Sequence, residues 1–387
     1  MFTLSIVWII AVFIIFWAMI GFPFSLVLLN KLFKRENKKD ASYEPTVTVM
    51  VVAHNEEAVI AEKLQNLLNI EYPADKLEFL IASDFSTDRT DEIVESFIAE
   101  HPERRIRIHK SEKHLGKTNA QNETQKLCNT EILVMTDANA MFEPNAVREL
   151  VSYFTDSSIA YVSGQLRYIN TEGNGTASSE GFYWKLDLIC RKIESKIQTI
   201  TAGNGAIYAV RNEYYVDVPP IECHDSSFPF IFALNKKRAI YGPDAIAYEK
   251  AGEINEDEFK RKVRMNRGIL KGICPCIRLF NIFSYRWFTY FYFGHRTCRY
   301  LLWLMHLVAF AVNIPLAFVG GYFWKIILGI QILFYITAII GLVTKSSNRL
   351  VKIVFYYCMT IMAQWNGVIN IVTGKSKPIW EKAESTR

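Results

Sequence analysis

Residues 47–57 read Val-Thr-Val-Met-Val-Val-Ala-His-Asn-Glu-Glu, an apolar, β-branched run that changes abruptly to polar side chains. A short run of this kind is typical of a buried strand, and we predict one over residues 47–52. The pattern then repeats, which predicts strands over 77–82, 106–109 and 132–136 and helices over 58–68, 88–99 and 118–127. Strands that alternate with helices indicate an α/β fold with a mainly parallel sheet covered on both faces.

Ligands of such sheets bind at the carboxyl ends of the strands, so the residues near each strand end are candidates for a site. They are Ala53-His-Asn-Glu-Glu57, Ser83-Asp-Phe-Ser-Thr-Asp88, Leu115-Gly-Lys-Thr-Asn119 and Thr136-Asp-Ala-Asn-Ala140. Asp84 can accept a hydrogen bond from a base or ribose, and Lys117 suits a phosphate. Asp137 and Asn139 offer hard oxygen ligands on one side of an extended segment. The set predicts a nucleotide with a metal-bound pyrophosphate.

Each of these signals has a structural alternative. Asp84 and Asp88 are residue types that also serve turns and helix caps, and we assign Asp88 to capping the helix that follows it. A lone Gly-Lys is usually a loop and a lone Asp-x-Asn is usually a turn. Their occurrence together and in order, at successive strand ends, favours a binding site.

The composition narrows the class of protein. The chain has 387 residues, of which 50% are hydrophobic, 14% aromatic and 21% charged, which excludes a disordered, collagen-like or coiled-coil chain. The net charge of +5 gives no indication of nucleic-acid binding. The seven cysteines match no zinc pattern, and we expect free thiols in a reducing compartment.

The apolar residues are concentrated at the two ends. Residues 1–30 contain no Lys, Arg, Asp or Glu, which predicts a retained transmembrane helix. A basic run follows, and by the positive-inside rule it places the N-terminus outside and residue 31 onward in the cytoplasm. We expect the cell (plasma or inner) membrane as the location. Three further apolar runs cover 300–318, 322–343 and 351–372. The last contains Gln364, Asn366 and Asn370 and is compatible with either a crossing or a re-entrant or interfacial helix.

These patterns divide the chain into six expected segments. They are a transmembrane helix (1–30), a basic cytoplasmic linker (31–44), a catalytic domain (45–272), interfacial amphipathic helices (273–299), transmembrane helices (300–373) and a tail (374–387). The segment 277–300 mixes aromatic residues with arginines and is too polar to span, so we expect it at the headgroup level. An amphipathic helix packed on the catalytic domain is the alternative.

The four polar segments, taken in order, resemble glycosyltransferase family 2, and in particular its membrane-bound members such as the hyaluronan, chitin and cellulose synthases. The resemblance covers about residues 45–270. It implies a GT-A fold, a nucleotide-sugar donor (UDP-linked), Mg or Mn as cofactor, and inversion at the anomeric carbon. It places Ala53, Asn55, Glu57, Asp84 and Lys117 at the donor, and Asp137 and Asn139 at the family's metal-binding D-x-D position.

The same resemblance extends to the acceptor side. Residues 180–184 and 201–206 are similar to the family's acceptor segments, which implies acceptor contacts for Tyr183, Trp184, Gly203 and Asn204. Core packing is the alternative for the two aromatic residues. Glu222-Cys-His-Asp225 matches the element whose last Asp is the general base, so Asp225 is the candidate base, with a helix cap as the alternative. His224, if protonated, would lower the pKa of Asp225.

Residues 261–267 occupy the place of the family's Q-x-x-R-W motif. Arg264 matches the arginine expected at the pyrophosphate, and Arg261 stands in place of Gln as a donor contact. Met265 stands in place of the Trp that holds the terminal acceptor sugar in processive members, which weakens the case for a long product. A basic interfacial helix facing anionic lipid is the alternative for this segment.

The hypothesis favoured by the sequence is a membrane-embedded inverting transferase that extends a polysaccharide or a lipid-linked glycan. One alternative is the transfer of a single sugar to a polyprenyl-linked acceptor, and another is a non-catalytic scaffold in a glycan export complex. Four helices form a narrow channel for a polymer, so a pore predicts a homodimer or an export partner. Membrane lipid is the other expected partner.

Overall fold

The structure is a computed structural model, and it describes residues 1–33, 36–169, 175–250, 255–344, 346 and 348–379, with the side chains of 175–185 and 255 left aside. The chain forms two compact units, each assembled from separated segments. The membrane-helix unit consists of Met1–Leu32, Thr171–Cys190 and Gly252–Ser376, and the sheet unit consists of Phe33–Asn170, Arg191–Ala251 and Lys377–Arg387. The catalytic segment expected over 45–272 therefore contributes residues to both units.

The sheet unit is built on eight strands in the order β3-β2-β1-β4-β7-β6-β8-β5. Their bounds are β1 Val47–Ala53, β2 Leu77–Ser83, β3 Ile106–Lys110, β4 Ile132–Asp137, β5 Met141–Phe142, β6 Ile159–Tyr168, β7 Ile207–Arg211 and β8 Arg238–Glu249. The first four strands along the chain pair in parallel, and β6 pairs with β8 in parallel. The pairs β4–β7, β6–β7 and β5–β8 are antiparallel. The predicted α/β class and all four predicted strands are confirmed.

The central strand β1 is buried along its whole length. Its alternate residues Val47, Val49 and Val51 belong to a core that also contains Leu64 of a covering helix, while Met50 is equally buried outside that core. A strand buried on both faces explains why the sequence is a continuous apolar run rather than an alternating one. The helices of this unit are α3 Ile60–Leu68, α4 Thr90–Glu100, α5 Lys117–Gln125, α6 Ala146–Val151 and α8 His224–Leu234.

The membrane-helix unit is almost entirely helical in its described residues. Its helices are α1 Phe2–Phe16, α2 Phe22–Leu32, α9 Asn255–Met265, α10 Ile269–Ile273, α11 Ile282–Tyr285, α12 Trp287–Tyr292, α13 Cys298–Tyr300, α14 Leu302–Val319, α15 Tyr322–Thr344 and α16 Arg349–Val372, and most of α7 Gly175–Ile197 also belongs to it. A π-helical turn at Trp17–Gly21 joins α1 to α2.

Three of these helices are long and apolar enough to cross a membrane: Phe2–Leu32, Leu302–Val319 and Tyr322–Thr344. The fourth apolar run forms α16, which among the described residues does not meet that composition, and whether it crosses stays a prediction. Polar side chains between the C-terminal helices bond to each other. His306 lies 3.0 Å from the Tyr335 hydroxyl and 2.9 Å from the Tyr357 hydroxyl, so it joins α14, α15 and α16.

Candidate active site

The parallel strands β2, β1 and β4 end together, as the sequence predicts. Ala53 at the end of β1 pairs with Ser83 at the end of β2, and Val52 pairs with Asp137 at the end of β4. Because parallel neighbours present their carboxyl ends at one edge, the polar residues that follow these strands converge there. This edge belongs to the sheet unit.

Asp84 is fully buried and organises the loop that carries Lys117. Its carboxylate accepts hydrogen bonds from the backbone N–H groups of Leu115 and Gly116, at 3.1 Å and 2.9 Å, and lies 2.8 Å from His114 Nδ1. Gly116 has a φ of +97°, a conformation that favours glycine, and α5 begins at the next residue. The sequence predicted a base or ribose contact for Asp84. In the structure its carboxylate bonds to the backbone of the two residues that precede Lys117, the candidate phosphate ligand.

Two other residues predicted to bind the sugar donor also form hydrogen bonds to backbone groups through their side chains. Asn55, at a φ of 53°, accepts a hydrogen bond from the Thr87 N–H at 2.7 Å. The Glu57 carboxylate accepts one from the Arg89 N–H at 3.1 Å. Asp88 accepts from the Thr90 N–H at 3.0 Å at the start of α4, but it lies one position before the N-cap residue, which is Arg89. These contacts connect the ends of β1 and β2.

Three charged side chains meet around Gly205. The Lys117 ammonium bonds to the Asp137 carboxylate and lies 3.4 Å from the Gly205 carbonyl oxygen. A Cβ atom at position 205 would lie 3.2 Å from Lys117 Nζ and 3.9 Å from both Asp137 Oδ2 and Asp225 Cγ. The absence of a side chain at Gly205 therefore leaves a small space that one cation and two carboxylates face together.

The pKa values of both Asp225 and Lys117 are raised in this cluster. Burial raises the pKa of the Asp225 carboxyl, the nearby Lys117 ammonium lowers it, and Asp137 raises it further, so that the net direction is upward. Burial lowers the pKa of Lys117, but the carboxylates of Asp137 and Asp225 more than offset this and the pKa is raised. A carboxylate with a raised pKa is a stronger proton acceptor, which suits a general base.

Asp225 lies in the first turn of α8, and the residue at the N-cap position is Cys223, without a side-chain capping bond. Asp225 is therefore not the N-cap residue of this helix, and the alternative of a helix cap is wrong. His224 does not supply the positive charge considered from the sequence, because burial, with a smaller contribution from Lys117, lowers its pKa to about 3. Its ring nitrogens lie 2.9 Å from Gln121 Oε1 and 2.8 Å from the Tyr215 hydroxyl.

Gly203 and Asn204, which were predicted to contact the acceptor sugar, belong to a segment that bonds to the backbone of Asp225. The Gly203 N–H donates to the Asp225 carbonyl oxygen at 2.8 Å, and a Cβ at position 203 would lie 1.9 Å from the Tyr161 hydroxyl oxygen. Asn204 donates to the Gly164 carbonyl at 2.6 Å and accepts from the Ile207 N–H at 3.0 Å. Both residues therefore fix the segment beside the candidate base. The side chains of Tyr183 and Trp184 lie outside the described residues.

The D-x-N segment offers the oxygen donors that Mg²⁺ and Mn²⁺ prefer. Asn139 directs its amide nitrogen to Glu249 Oε1 at 2.7 Å. Asp137, Asn139 and Glu249 carry carboxylate and amide oxygens, the donor chemistry that fits a divalent cation. Glu249 was not predicted from the sequence, because only the fold brings the end of β8 beside the end of β4.

A second group of ligand atoms belongs to His54, Asp84 and His114, which lie within 4.8 Å of one another and could hold a metal ion. The two imidazole rings stack at 3.7 Å with an angle of 7° between their planes. Ring-nitrogen lone pairs lie in the ring plane, so two parallel rings do not direct them at one point. In the observed geometry these three residues therefore contact each other and do not direct their ligand atoms at one ion.

The two predicted arginines lie on α9 and belong to the membrane-helix unit. Arg261 donates to both carboxylate oxygens of Glu258, at 2.7 Å and 3.0 Å. Burial raises the pKa of the Glu258 carboxyl, but the charges and hydrogen bonds of Arg261 and Lys262 lower it by more. The net shift of this pKa is therefore downward. Arg264 follows on the same helix.

Comparisons with known proteins agree with this geometry. Residues 48–216 match the family model described as Glycosyl transferase family 2. They are a family 2 glycosyltransferase domain. The domain contains Lys117, Asp137, Asn139 and Gly205, whereas Asp225 and Glu249 follow it in the chain.

Two curated relatives match this chain over part of its length. The probable glycosyltransferase YdaM of Bacillus subtilis is 33% identical over 171 residues, which are 43% of this chain and 40% of the relative. The beta-monoglucosyldiacylglycerol synthase of a Nostoc species is 30% identical over 144 residues, 37% of this chain and 31% of the relative. The chain thus spans less than half the length of these relatives.

A solved structure shows the fold. The mannosyltransferase PcManGT from Pyrobaculum calidifontis, in complex with GDP-Man and Mn²⁺, superimposes with a TM-score of 0.74 at 21% identity. The match covers 95% of this chain and 99% of that one. The family 2 domain therefore has the GT-A fold, as the sequence predicted.

Proposed function

We propose that this protein transfers a sugar, with inversion, from a nucleotide-sugar to a growing glycan or lipid-linked acceptor at a membrane. The observation that carries the proposal is the meeting of Lys117, Asp137 and Asp225 around Gly205. A single carboxylate placed beside a cation and a hard oxygen ligand is the arrangement that an inverting transfer needs. The family 2 domain and the GT-A fold support it.

In the proposed mechanism, Asp225 accepts the proton of the acceptor hydroxyl as that oxygen attacks the anomeric carbon. The bond from this carbon to the diphosphate oxygen breaks on the opposite face, which inverts the configuration. Lys117 neutralises the charge that develops on the leaving diphosphate. A divalent cation, Mg or Mn, held by Asp137 and Asn139 would supply further charge neutralisation there.

The donor is proposed to be a UDP-sugar on the family resemblance alone. The same resemblance assigns Ala53, Asn55, Glu57 and Asp84 to the nucleoside side and Arg264 and Arg261 to the pyrophosphate. Gly203 and Asn204 support the segment of the base, and Tyr183 and Trp184 are proposed to stack on the acceptor.

The domain is proposed to face the cytoplasm from the cell membrane. Three helices long and apolar enough to cross support membrane association, and the basic residues after residue 30 support the orientation. The transfer of one sugar to a polyprenyl-linked acceptor is the second candidate, favoured by Met265 in place of the tryptophan of processive relatives. A polymer-conducting pore would require a second copy of this chain or an export partner.

The test uses the full chain in detergent with a panel of UDP- and GDP-sugars, Mn²⁺ or Mg²⁺, and nucleotide release as the readout. We expect release from at least one UDP-sugar, and a loss of about 10²- to 10⁴-fold in Asp225→Asn with donor binding retained. Asp217→Asn is the matched control, since its carboxylate is exposed and pairs only loosely with Lys126 at 3.6 Å. Release by no donor refutes the proposal and favours a scaffold, whereas unchanged release in Asp225→Asn refutes the assignment of Asp225 as the base. Product mass separates one added sugar from a ladder.

A further inference from the structure

Asn139 stands where the family pattern has a second aspartate, so this chain has one negative charge less at the predicted metal position. Glu249 lies against it, with Oε1 2.7 Å from Asn139 Nδ2. We propose that Glu249 restores this charge and, as a positioning residue, fixes the orientation of the Asn139 amide toward the cation. The inference rests on the metal-dependent transfer proposed above.

The backbone of Glu249 is held from both sides, so its approach to Asn139 is built into the sheet. It is the last residue of β8 and pairs with Tyr168 of the parallel strand β6. On the other edge, β8 pairs antiparallel with β5 through Met141 and Tyr248, which brings Glu249 level with the residue that follows Asn139. Groups on paired strands are held more precisely than groups on loops.

The chemistry of the contact decides how the amide is oriented. A carboxylate only accepts hydrogen bonds, so Asn139 must present its NH₂ group to Glu249. The amide is planar, with oxygen and nitrogen on opposite branches, and fixing the nitrogen therefore fixes the direction of Oδ1. That oxygen is the only side-chain atom of Asn139 that can bind a hard cation. Outer contacts of this kind typically change metal affinity by about 10- to 100-fold.

The arrangement also explains why an aspartate would be unfavourable at position 139. The substitution Asn139→Asp would place a second carboxylate 2.7 Å from Glu249, the separation now bridged by the hydrogen bond. Like charges at this distance disfavour each other's ionised form. Restoring the family pattern by Asn139→Asp alone is therefore predicted to weaken cation binding, whereas exchanging the two groups in Asn139→Asp/Glu249→Gln keeps the bond and the total charge.

The experiment measures Mn²⁺ binding to the full chain in detergent by the electron paramagnetic resonance signal of free Mn²⁺, with Mn²⁺ alone and with Mn²⁺ plus UDP. Glu249→Gln and Asn139→Asp are expected to raise the Kd by about 10- to 100-fold each. The double variant is expected to bind within about threefold of the wild type, because the pair is exchanged rather than removed. Glu143→Gln is the matched control, since Glu143 accepts from the Tyr248 hydroxyl at 2.6 Å beside the same strand end.

Wild-type affinity in Glu249→Gln, or a double variant no better than either single one, overturns the inference. If Glu249→Gln does not fold, the Mn²⁺ Kd of the double variant is compared with that of Asn139→Asp, and this comparison tests the inference. A wild-type protein that binds no Mn²⁺ in either condition overturns the inference together with the metal requirement. Nucleotide release by that same protein would show that the transfer itself stands.

Discussion

Acid should destabilise the sheet unit in part through His224, whose pKa is lowered to about 3. Its imidazole is buried, with ring nitrogens 2.9 Å from Gln121 Oε1 and 2.8 Å from the Tyr215 hydroxyl. Burial lowers its pKa from 6.5 to about 3 in the folded protein. Between these two values the unfolded chain binds a proton that the folded chain does not. The free energy of unfolding therefore falls as the pH falls below 6.5.

The size of the effect follows from the two pKa values. Each pH unit within the window changes the stability by about 1.4 kcal/mol, and between pH 7 and pH 5 the loss amounts to about 2 kcal/mol. For a domain of this size that corresponds to a decrease in Tm of about 4 to 8 °C. The stabilisation from neutral His224 is fully present above pH 6.5, the pKa in the unfolded chain. It is lost as the pH falls toward about 3, the pKa in the folded protein.

The assay is thermal unfolding of the wild type and His224→Gln in detergent at pH 5, 6, 7 and 8. Glutamine keeps a polar side chain of similar reach but takes up no proton. The variant is expected to start from a lower stability at pH 7 and to lose about 2 kcal/mol less than the wild type on acidification to pH 5. Between pH 7 and 8 the two proteins should change in parallel. An equal loss in both proteins between pH 7 and pH 5 would refute the reasoning.

Three further predictions concern the same unit. Lys117→Met should weaken UDP binding by about 10- to 100-fold in calorimetry, because a charge-assisted contact to phosphate is lost, and Lys117→Arg should recover part of it. Lys63 is fully buried, which lowers the pKa of its ammonium to about 7, so wild-type stability should rise by about 2 kcal/mol between pH 7 and 9, and Lys63→Met should abolish this rise in denaturant titrations. Gly203→Ala should cost about 2 kcal/mol or more, since its Cβ would lie 1.9 Å from the Tyr161 hydroxyl oxygen, and Tyr161→Phe should reduce the cost; equal Tm values for the wild type and Gly203→Ala would contradict this.

The sequence predicts those parts of the molecule that local patterns determine. The strand over 47–52 and its neighbours follow from apolar runs, and the convergence of Lys117 and Asp137 follows from the rule that parallel strands end together. Asp225 was reached through the family resemblance, and the structure places its carboxyl beside these two residues.

Contacts between distant segments could not be predicted in the same way. Glu249 reaches Asn139 across 110 positions of the chain, through the pairing of β8 with a strand of only two residues. The burial that keeps His224 neutral depends on partners from α5. The role of Asp84 in the 114–116 loop likewise depends on backbone N–H groups, which carry no signal in the side-chain pattern.

The bond between Lys117 and Asp137 has a consequence for the order of events in the resting protein. The lysine acts as an internal counter-ion that offsets part of the repulsion between the two acidic groups near Gly205. On the proposed function, a nucleotide-sugar that arrives with its cation would exchange partners with this pair, since Lys117 would bind the phosphate and Asp137 would be free to bind the cation. Such an exchange would leave no charge unpaired, and it would favour a preassembled metal–nucleotide complex over either component arriving alone.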